Sequence, residues 1–145
     1  MLKDTLQLKQ PSLVFLSESQ IFQSDIDAAM VHVQGEYCYY LNSDDSHDPE
    51  LPLVKNHSLG GTLLLWAKSL DPYITVHPVS TCSFSPLILK LPGFQSSIHV
   101  ALYLPTHGKD SEFVSELADL KICLEELTDL YPDSVIFIRG CQCQC

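Results

Sequence analysis

Short apolar runs bounded by prolines, glycines and polar residues recur along the chain, and this pattern predicts buried β-strands. The runs are SLVFLS, EYCYYLN, GGTLLLWA, YITVHP, LILKL, SSIHVALYLP and SVIFI. Polar or proline-broken segments such as SDDSHDPELP separate them and read as loops.

Two other segments have helical spacing. Between Ser24 and Val33, a Ser/Asp cap signal precedes apolar residues spaced for one helical face. From Ser111 to Leu130, the spacing alternates between four and three residues, which predicts a long amphipathic helix that stops before Pro132. Its apolar stripe consists of Phe113, Leu117, Leu120, Leu124 and Leu127. The first ten residues read as the last turns of a helix that ends at Pro11.

Strands that outnumber helices, with helices between buried strands, predict an α/β protein in which helices cover packed sheets. Such folds collect their chemistry at the carboxyl ends of strands. Three strand ends are therefore of interest, namely Glu18, Tyr103 and the end of the last strand at Gly140, and we expect them to converge at one rim.

The formal charge of −10 repels phosphate backbones at long range, which argues mildly against nucleic-acid affinity. The chain has no apolar run of about 18 residues and its amino terminus is too polar for a signal peptide. We therefore expect no membrane association and an intracellular location, in the nucleus or the cytoplasm.

Glu18 is a candidate ligand for a hard cation such as Mg²⁺, because it follows a strand directly. A solvated carboxylate at a strand end is the alternative. Tyr103 and Thr106 could both contact a phosphate, the alternative being an aromatic residue at a sheet rim. The acidic loop around Asp44 lacks the spacing of a calcium loop and reads as solvated.

The cysteines form two groups. Cys38, Cys82 and Cys123 have apolar or strand-like surroundings and read as reduced core thiols. Cys141, Cys143 and Cys145 form a C-x-C-x-C tail that could supply thiolates to a soft metal, although this spacing differs from that of structural zinc sites. His77 and His99 lie singly in predicted strands and read as structural residues.

In their order and spacing, PSLVFLSES, GGTLLLWAKSLDPYITV, SIHVALYLPTHGKD, the leucine-rich helix and DSVIFIRG resemble the endonuclease/exonuclease/phosphatase superfamily. The resemblance is greatest to the apurinic-type endonucleases of non-LTR retrotransposons. It covers residues 1–140 and implies an incomplete four-layer αββα sandwich, with residues 141–145 as a Cys-rich tail from outside the family.

The resemblance assigns roles to individual residues. It makes Glu18 a ligand of the catalytic Mg²⁺ and Tyr103 a contact to the scissile phosphate. Thr106 stands where the family usually has asparagine. Cys141 and Cys143 stand where the family has an aspartate that orients the attacking water and an asparagine that binds the transition-state phosphate.

The resemblance also implies that the family's first strand and its second half, with the general base, lie outside this sequence. We therefore expect a fragment of a Mg²⁺-dependent phosphodiesterase that acted on DNA and is inactive in this chain. The alternative is a binding or scaffold protein that uses the half-sandwich as an interaction surface, with self-association through exposed sheet faces. Nucleic acid is a partner by resemblance only.

Overall fold

The computed structural model describes residues 11–17, 23–42, 61–79, 81, 83–103 and 110–140. The chain divides into two compact units, Met1–Pro72 and Tyr73–Cys145. Each unit has its own sheet, and the described strands and the two predicted helices follow one another along the chain in the order that the sequence pattern predicts.

The first unit contains a three-stranded antiparallel sheet. Its strands are β1 (Leu13–Ser17), β2 (Tyr37–Asn42) and β3 (Thr62–Ala67), in the order β1-β3-β2. The central strand β3 is buried on both faces, because Leu63 and Leu65 point one way while Leu64 points the other, and each is at most 1% exposed.

A short helical segment covers one face of this sheet. A 3-10 turn at Gln23–Asp25 leads into helix α1 (Ile26–Ala29), and hydrogen-bonded turns continue to Tyr37. Ile26, Met30 and Val33 pack with Leu63 and Leu65 in one core cluster. The predicted helical face is therefore confirmed, but the α-helix is shorter than the predicted Ser24–Val33 because turns replace its second half.

The second unit contains a four-stranded mixed sheet. Its strands, in the order β4-β5-β6-β7, are β4 (Ile74–Val76), β5 (Phe84–Leu89), β6 (Ser97–Leu102) and β7 (Val135–Gly140). The pairs β4–β5 and β5–β6 are antiparallel, while β6 and β7 are parallel. The parallel pair requires a crossover connection, which contains helix α2 (Asp110–Leu130).

Helix α2 packs one stripe on this sheet. Leu120, Cys123 and Leu127 are buried against strand residues of the second core cluster, among them Phe84 and Val100. The carboxyl-terminal part of the predicted leucine stripe therefore faces the core. Its beginning does not, because Phe113 and Leu117 are 39% and 40% exposed. The helix ends at Leu130, two residues before Pro132, as predicted.

Two strands depart from the sequence prediction. β5 begins at Phe84, before Pro86, whereas the pattern predicted LILKL after the proline. Pro86 fits because its carbonyl accepts a hydrogen bond from the His77 N–H at 3.1 Å, which requires no donor from the proline. His77 itself follows β4 instead of lying within it.

β7 was predicted to be fully buried, and this is wrong. Val135, Phe137 and Ile138 are 44%, 44% and 49% exposed. The physical reason is position in the sheet, since β7 is an edge strand that pairs only with β6 in the described part of the chain. β1, also an edge strand, is half-buried for the same reason.

Within the described ranges, no helix combines the length and the apolar character that crossing a bilayer requires.

The packing of α2 predicts a contrast between two leucines of its last turns. Leu127→Ala removes a fully buried side chain and should lower the free energy of unfolding by about 2–5 kcal/mol. Leu130→Ala, at a side chain that is 61% exposed, should change it by less than about 0.5 kcal/mol. Urea unfolding followed by far-UV circular dichroism at 222 nm, where the α2 signal dominates, measures both. Equal effects would contradict this packing.

Candidate functional site

Three polar residues form a row across one end of the sheet in the first unit. Thr62 of β3 is paired with Ser17 of β1 on one side and with Asn42 of β2 on the other. Paired residues share a face, so all three lie on the face opposite the core packed by α1. This end of the sheet is the one at which β1 leads into Glu18.

Thr62 is completely buried, and it takes part in polar contacts within the fold. The row supplies hydroxyl and amide groups but no charge. The sequence pattern predicts Glu18 as a candidate at this end, but it does not indicate Asn42 or Thr62, since their juxtaposition depends on strand pairing. The sequence signal that could have indicated them is the polar residue at the end of β2, Asn42, and at the beginning of β3, Thr62, next to apolar runs.

Glu18 lies outside the described residues, as do Thr106, Cys141 and Cys143. Their assigned roles stay predictions. The described parts of the site are the strand ends that lead into these residues.

In the second unit, Tyr103 and Gly140 lie at the same end of the sheet. Leu102 is paired with Gly140 in the parallel register, and Tyr103 follows Leu102 directly. The Tyr103 N–H donates a hydrogen bond to the Ser83 carbonyl at 2.7 Å, which continues the β5–β6 ladder by one residue. Tyr103 is half-buried, so its backbone is held by the sheet while part of the residue is accessible.

A positively charged side chain, Arg139, lies near this end of the sheet. Arg139 is paired with Ala101, and strand alternation places it on the same face of the sheet as His99 and Tyr103. Arg139 is exposed. In a chain with a formal charge of −10, this guanidinium, on the same face of the sheet as Tyr103, is a local positive group that suits an anionic ligand.

His99 packs against side chains of its own strand and of the adjacent strand β7. Its Nε2 lies 3.0 Å from the Ser97 Oγ, and its ring stacks on Phe137 with the ring centroids 5.1 Å apart. Burial lowers the pKa of His99, and the nearby Arg139 lowers it further. The imidazole is therefore held neutral over a wider pH range than an exposed histidine.

Cys123 is a free cysteine buried in the second core cluster, as predicted. Cys38 is also free but only half-buried and lies in neither core cluster, and Cys82 lies outside the described residues. Burial raises the pKa of Cys123, and the Glu126 carboxylate adds to this effect. The pKa of Cys38 is raised first by burial and then by its hydrogen bond to Asp71. Neither environment favours the thiolate that nucleophilic or metal-binding chemistry needs.

Within the described residues, no three His, Cys, Asp or Glu side chains converge on one point, as a metal centre would require. In the first unit, the neutral oxygens of Ser17, Asn42 and Thr62 could at most supplement a carboxylate at Glu18. The described residues therefore do not by themselves fit a divalent cation.

No family model matches the chain, and no curated protein is significantly similar to it in sequence. Solved structures, in contrast, match 96% of it. They include a truncated TDP2 of Caenorhabditis elegans, with 15% identity, a TM-score of 0.59 and 52% of that chain covered. D. rerio TDP2 complexed with a single-strand DNA product matches with 18% identity, a TM-score of 0.57 and 50% of that chain covered.

The human Nocturnin catalytic domain with a bound sulfate anion is a further match, with 14% identity and a TM-score of 0.58 over 54% of that chain. TDP2 and Nocturnin are members of the superfamily that the sequence segments resemble. The chain has the endonuclease/exonuclease/phosphatase fold. The predicted fold class is thereby confirmed, and the chain spans about half the length of the solved structures it matches.

The lowered pKa of His99 predicts a pH-dependent stability for this fold. The unfolded state binds a proton near the ordinary histidine pKa of about 6.5, whereas the folded state binds it only at lower pH. The contribution of His99 is therefore present above pH ~6.5 and is lost as the pH falls below it. We expect His99→Gln to flatten the fall in Tm between pH 7.5 and pH 5.

The matched control is His32→Gln, at an exposed histidine of the first unit. It should leave the pH dependence of Tm unchanged. A parallel fall of Tm in wild type and His99→Gln would contradict the role assigned to His99.

Proposed function

We propose that this chain carries part of a phosphodiester-hydrolysing domain whose ancestral activity is Mg²⁺-dependent cleavage of DNA, and that the chain itself does not cleave. The observation that carries the proposal is the shared fold, which extends over 96% of the chain. One of the structures that share it is a TDP2 complexed with a single-strand DNA product. A closer relation to the retrotransposon endonucleases, and an intracellular location, are predictions from sequence alone.

The rim of the second unit supports a phosphate-binding role. Tyr103 is half-buried at the end of β6, and Arg139 lies on the same face of the adjacent strand. A phenol and a guanidinium are both donors to phosphate oxygens, and the guanidinium can bind two of them at once. The Nocturnin structure with bound sulfate is consistent with an anion site in this fold.

Loss of activity is proposed from residue chemistry at the end of β7. By resemblance, Cys141 and Cys143 occupy the positions of a water-orienting aspartate and a phosphate-binding asparagine. A neutral thiol is a weak donor and a weak acceptor, so it replaces neither group. Removal of one such group commonly lowers kcat by about a hundredfold or more.

Mg²⁺ is the cofactor that the family implies, and when bound it would neutralise charge on the phosphate. In this chain, Glu18 would hold it with one carboxylate. The row of Ser17, Thr62 and Asn42 would supply at most neutral oxygens. We therefore propose weak binding.

A binding or scaffold function is the second candidate. It is favoured by the exposed apolar residues of β7, because an edge strand that exposes Val135, Phe137 and Ile138 is suited to association. Nucleic acid is a proposed partner only through the phosphate-binding rim.

Magnesium titration tests the proposed role of Glu18. We expect millimolar or weaker affinity, because Mg²⁺ prefers several oxygen ligands and the site offers one carboxylate. Glu18→Gln should abolish even this binding in isothermal titration calorimetry. Glu36→Gln, at an exposed carboxylate in the same unit, is the control. Micromolar affinity that survives Glu18→Gln would mean that another site holds the ion.

Nuclease assays test the proposed inactivity. Purified chain should nick neither supercoiled plasmid nor DNA with an abasic site in the presence of Mg²⁺. The groups that orient water and stabilise the transition state act as a unit, and by resemblance Cys141 and Cys143 replace two of them. Glu18→Ala is assayed in parallel. Nicking by the wild type that disappears in Glu18→Ala would show a functional site and refute the proposal.

A further inference from the structure

A series of hydrogen bonds connects helix α2 to Tyr103. The Thr81 hydroxyl donates to Oε2 of Glu116, a residue of α2, at 2.6 Å. Thr81 Oγ1 in turn accepts a hydrogen bond from the Ser83 N–H at 3.2 Å. The Ser83 carbonyl accepts one from the Tyr103 N–H at 2.7 Å. Three hydrogen bonds thus join Glu116 to Tyr103 within the second unit, and we call these four residues the Tyr103 tether.

Tyr103 and Ser83 both lie just outside the strands to which they are attached. β6 ends at Leu102, and β5 begins at Phe84. The last bond of a strand ladder is prone to fraying, because it has neighbours on one side only. The position of the Tyr103 backbone therefore depends on the position of Ser83.

The backbone of Tyr103 determines where its side chain lies. Strand alternation places Tyr103 on the same face of the sheet as Arg139 only while its backbone continues the strand geometry. If the bond to Ser83 opens, this constraint is lost. The phenol and the guanidinium are then no longer held on one face.

Ser83 is itself held by Thr81 and Glu116. Ser83 is 8% exposed, and the other two residues are half-buried. A hydrogen bond from a hydroxyl to a carboxylate is shorter and stronger than one between neutral groups. A hydroxyl that donates in this way is also a better acceptor, here for the Ser83 N–H. The backbone beside β5 is thereby fixed to α2.

Glu116 continues the buried stripe of α2 with a charged residue. It lies four residues before Leu120, on the same face of the helix, and this face buries Leu120, Cys123 and Leu127 in the second core cluster. A carboxylate in line with an apolar stripe destabilises a fold unless hydrogen bonds compensate for the lost water. Stability alone would favour an apolar residue here, which indicates that Glu116 serves the position of the segment it binds.

We propose that Thr81 and Glu116 are positioning residues of the phosphate-binding rim, which hold Tyr103 where its side chain contacts a phosphate. The inference rests on the phosphate contact proposed above for Tyr103. Neither positioning residue contacts the phosphate, because each acts through the backbone of Ser83. The tether raises the fraction of molecules that are competent to bind, and the apparent Kd varies inversely with that fraction.

Hydrogen exchange of the Tyr103 amide, measured by NMR without a ligand, tests the tether. Thr81→Val removes the hydroxyl and should accelerate this exchange about two- to tenfold, the effect of losing one hydrogen bond. Thr81→Ser keeps a hydroxyl and should restore slow exchange. The matched control is Thr128→Val, because the Thr128 hydroxyl donates to the Leu124 carbonyl elsewhere in α2. It should leave the Tyr103 amide unchanged.

Titration of the ¹⁵N-labelled chain with inorganic phosphate, at constant ionic strength, tests the link to binding. Thr81→Val should raise the phosphate Kd, but by no more than the factor found for exchange, because affinity falls only with the competent fraction. Tyr103→Phe and Arg139→Gln should raise it as well, since each removes a proposed donor. Thr128→Val should not change it.

Glu116→Ala tests the other end of the tether and does not depend on the folding of Thr81→Val. The site is a half-buried helix position, and alanine favours helix. We expect the same effects on exchange and on the phosphate Kd as in Thr81→Val. The double variant should have no larger effect than either single one, because both remove the same hydrogen bond. Glu125→Ala, at an exposed residue of α2, controls for the change in net charge.

Unchanged Tyr103 exchange in both Thr81→Val and Glu116→Ala would overturn the proposal. Faster exchange with an unchanged phosphate Kd would also overturn it, because the tether would then be structural only. A wild type that does not bind phosphate, or an unchanged Kd in Tyr103→Phe, would refute the phosphate contact itself. The exchange rates distinguish this last failure from the first, because they report on the tether without any ligand.

Discussion

The packing of helix α2 on the sheet of the second unit is the interaction on which the position of the candidate rim depends. Burial of Leu120, Cys123 and Leu127 against the strands holds the crossover that makes β7 parallel to β6. Parallel neighbours end at the same edge of a sheet, so the end of β6 and the end of β7 come together there. The end of β6 at Tyr103 therefore lies beside the end of β7 at Gly140 because of this crossover.

Among the described strands, the same topology leaves β7 at the edge of the sheet. A strand held by one neighbour exposes half of its backbone groups, and in β7 the apolar side chains are exposed with them. The strand that carries Arg139, which we propose as a phosphate contact, is therefore also the strand that we propose for association. Both candidate functions, an ancestral phosphodiesterase site and an interaction surface, share this strand.

Electrostatics restrict what the rim can bind. The chain as a whole is acidic, so long-range attraction of a nucleic acid is unfavourable. Short-range recognition of a phosphate at this rim is proposed to depend on Arg139 and on the Tyr103 hydroxyl. His99 contributes no charge near neutral pH, because burial and Arg139 both lower its pKa. Any affinity for a phosphate would thus depend on a few local donors.

Local sequence patterns determined the position of most strands, the end of α2 and the fold class of this protein. The apolar runs placed most of the strands, Pro132 predicted the end of α2, and the order of the segments identified the endonuclease/exonuclease/phosphatase fold. These features are readable because strand alternation, helical spacing and the restrictions imposed by proline act over a few residues.

Only the tertiary structure decided the pairing of the strands and the consequences of that pairing. SVIFI has the composition of a buried strand, yet β7 is exposed, because burial depends on neighbours distant in sequence. The row of Ser17, Asn42 and Thr62 likewise exists only once β3 lies between β1 and β2. The sequence indicates which residues are apolar enough to be buried or polar enough to bind a ligand. Long-range strand pairing decides which of these residues lie next to each other.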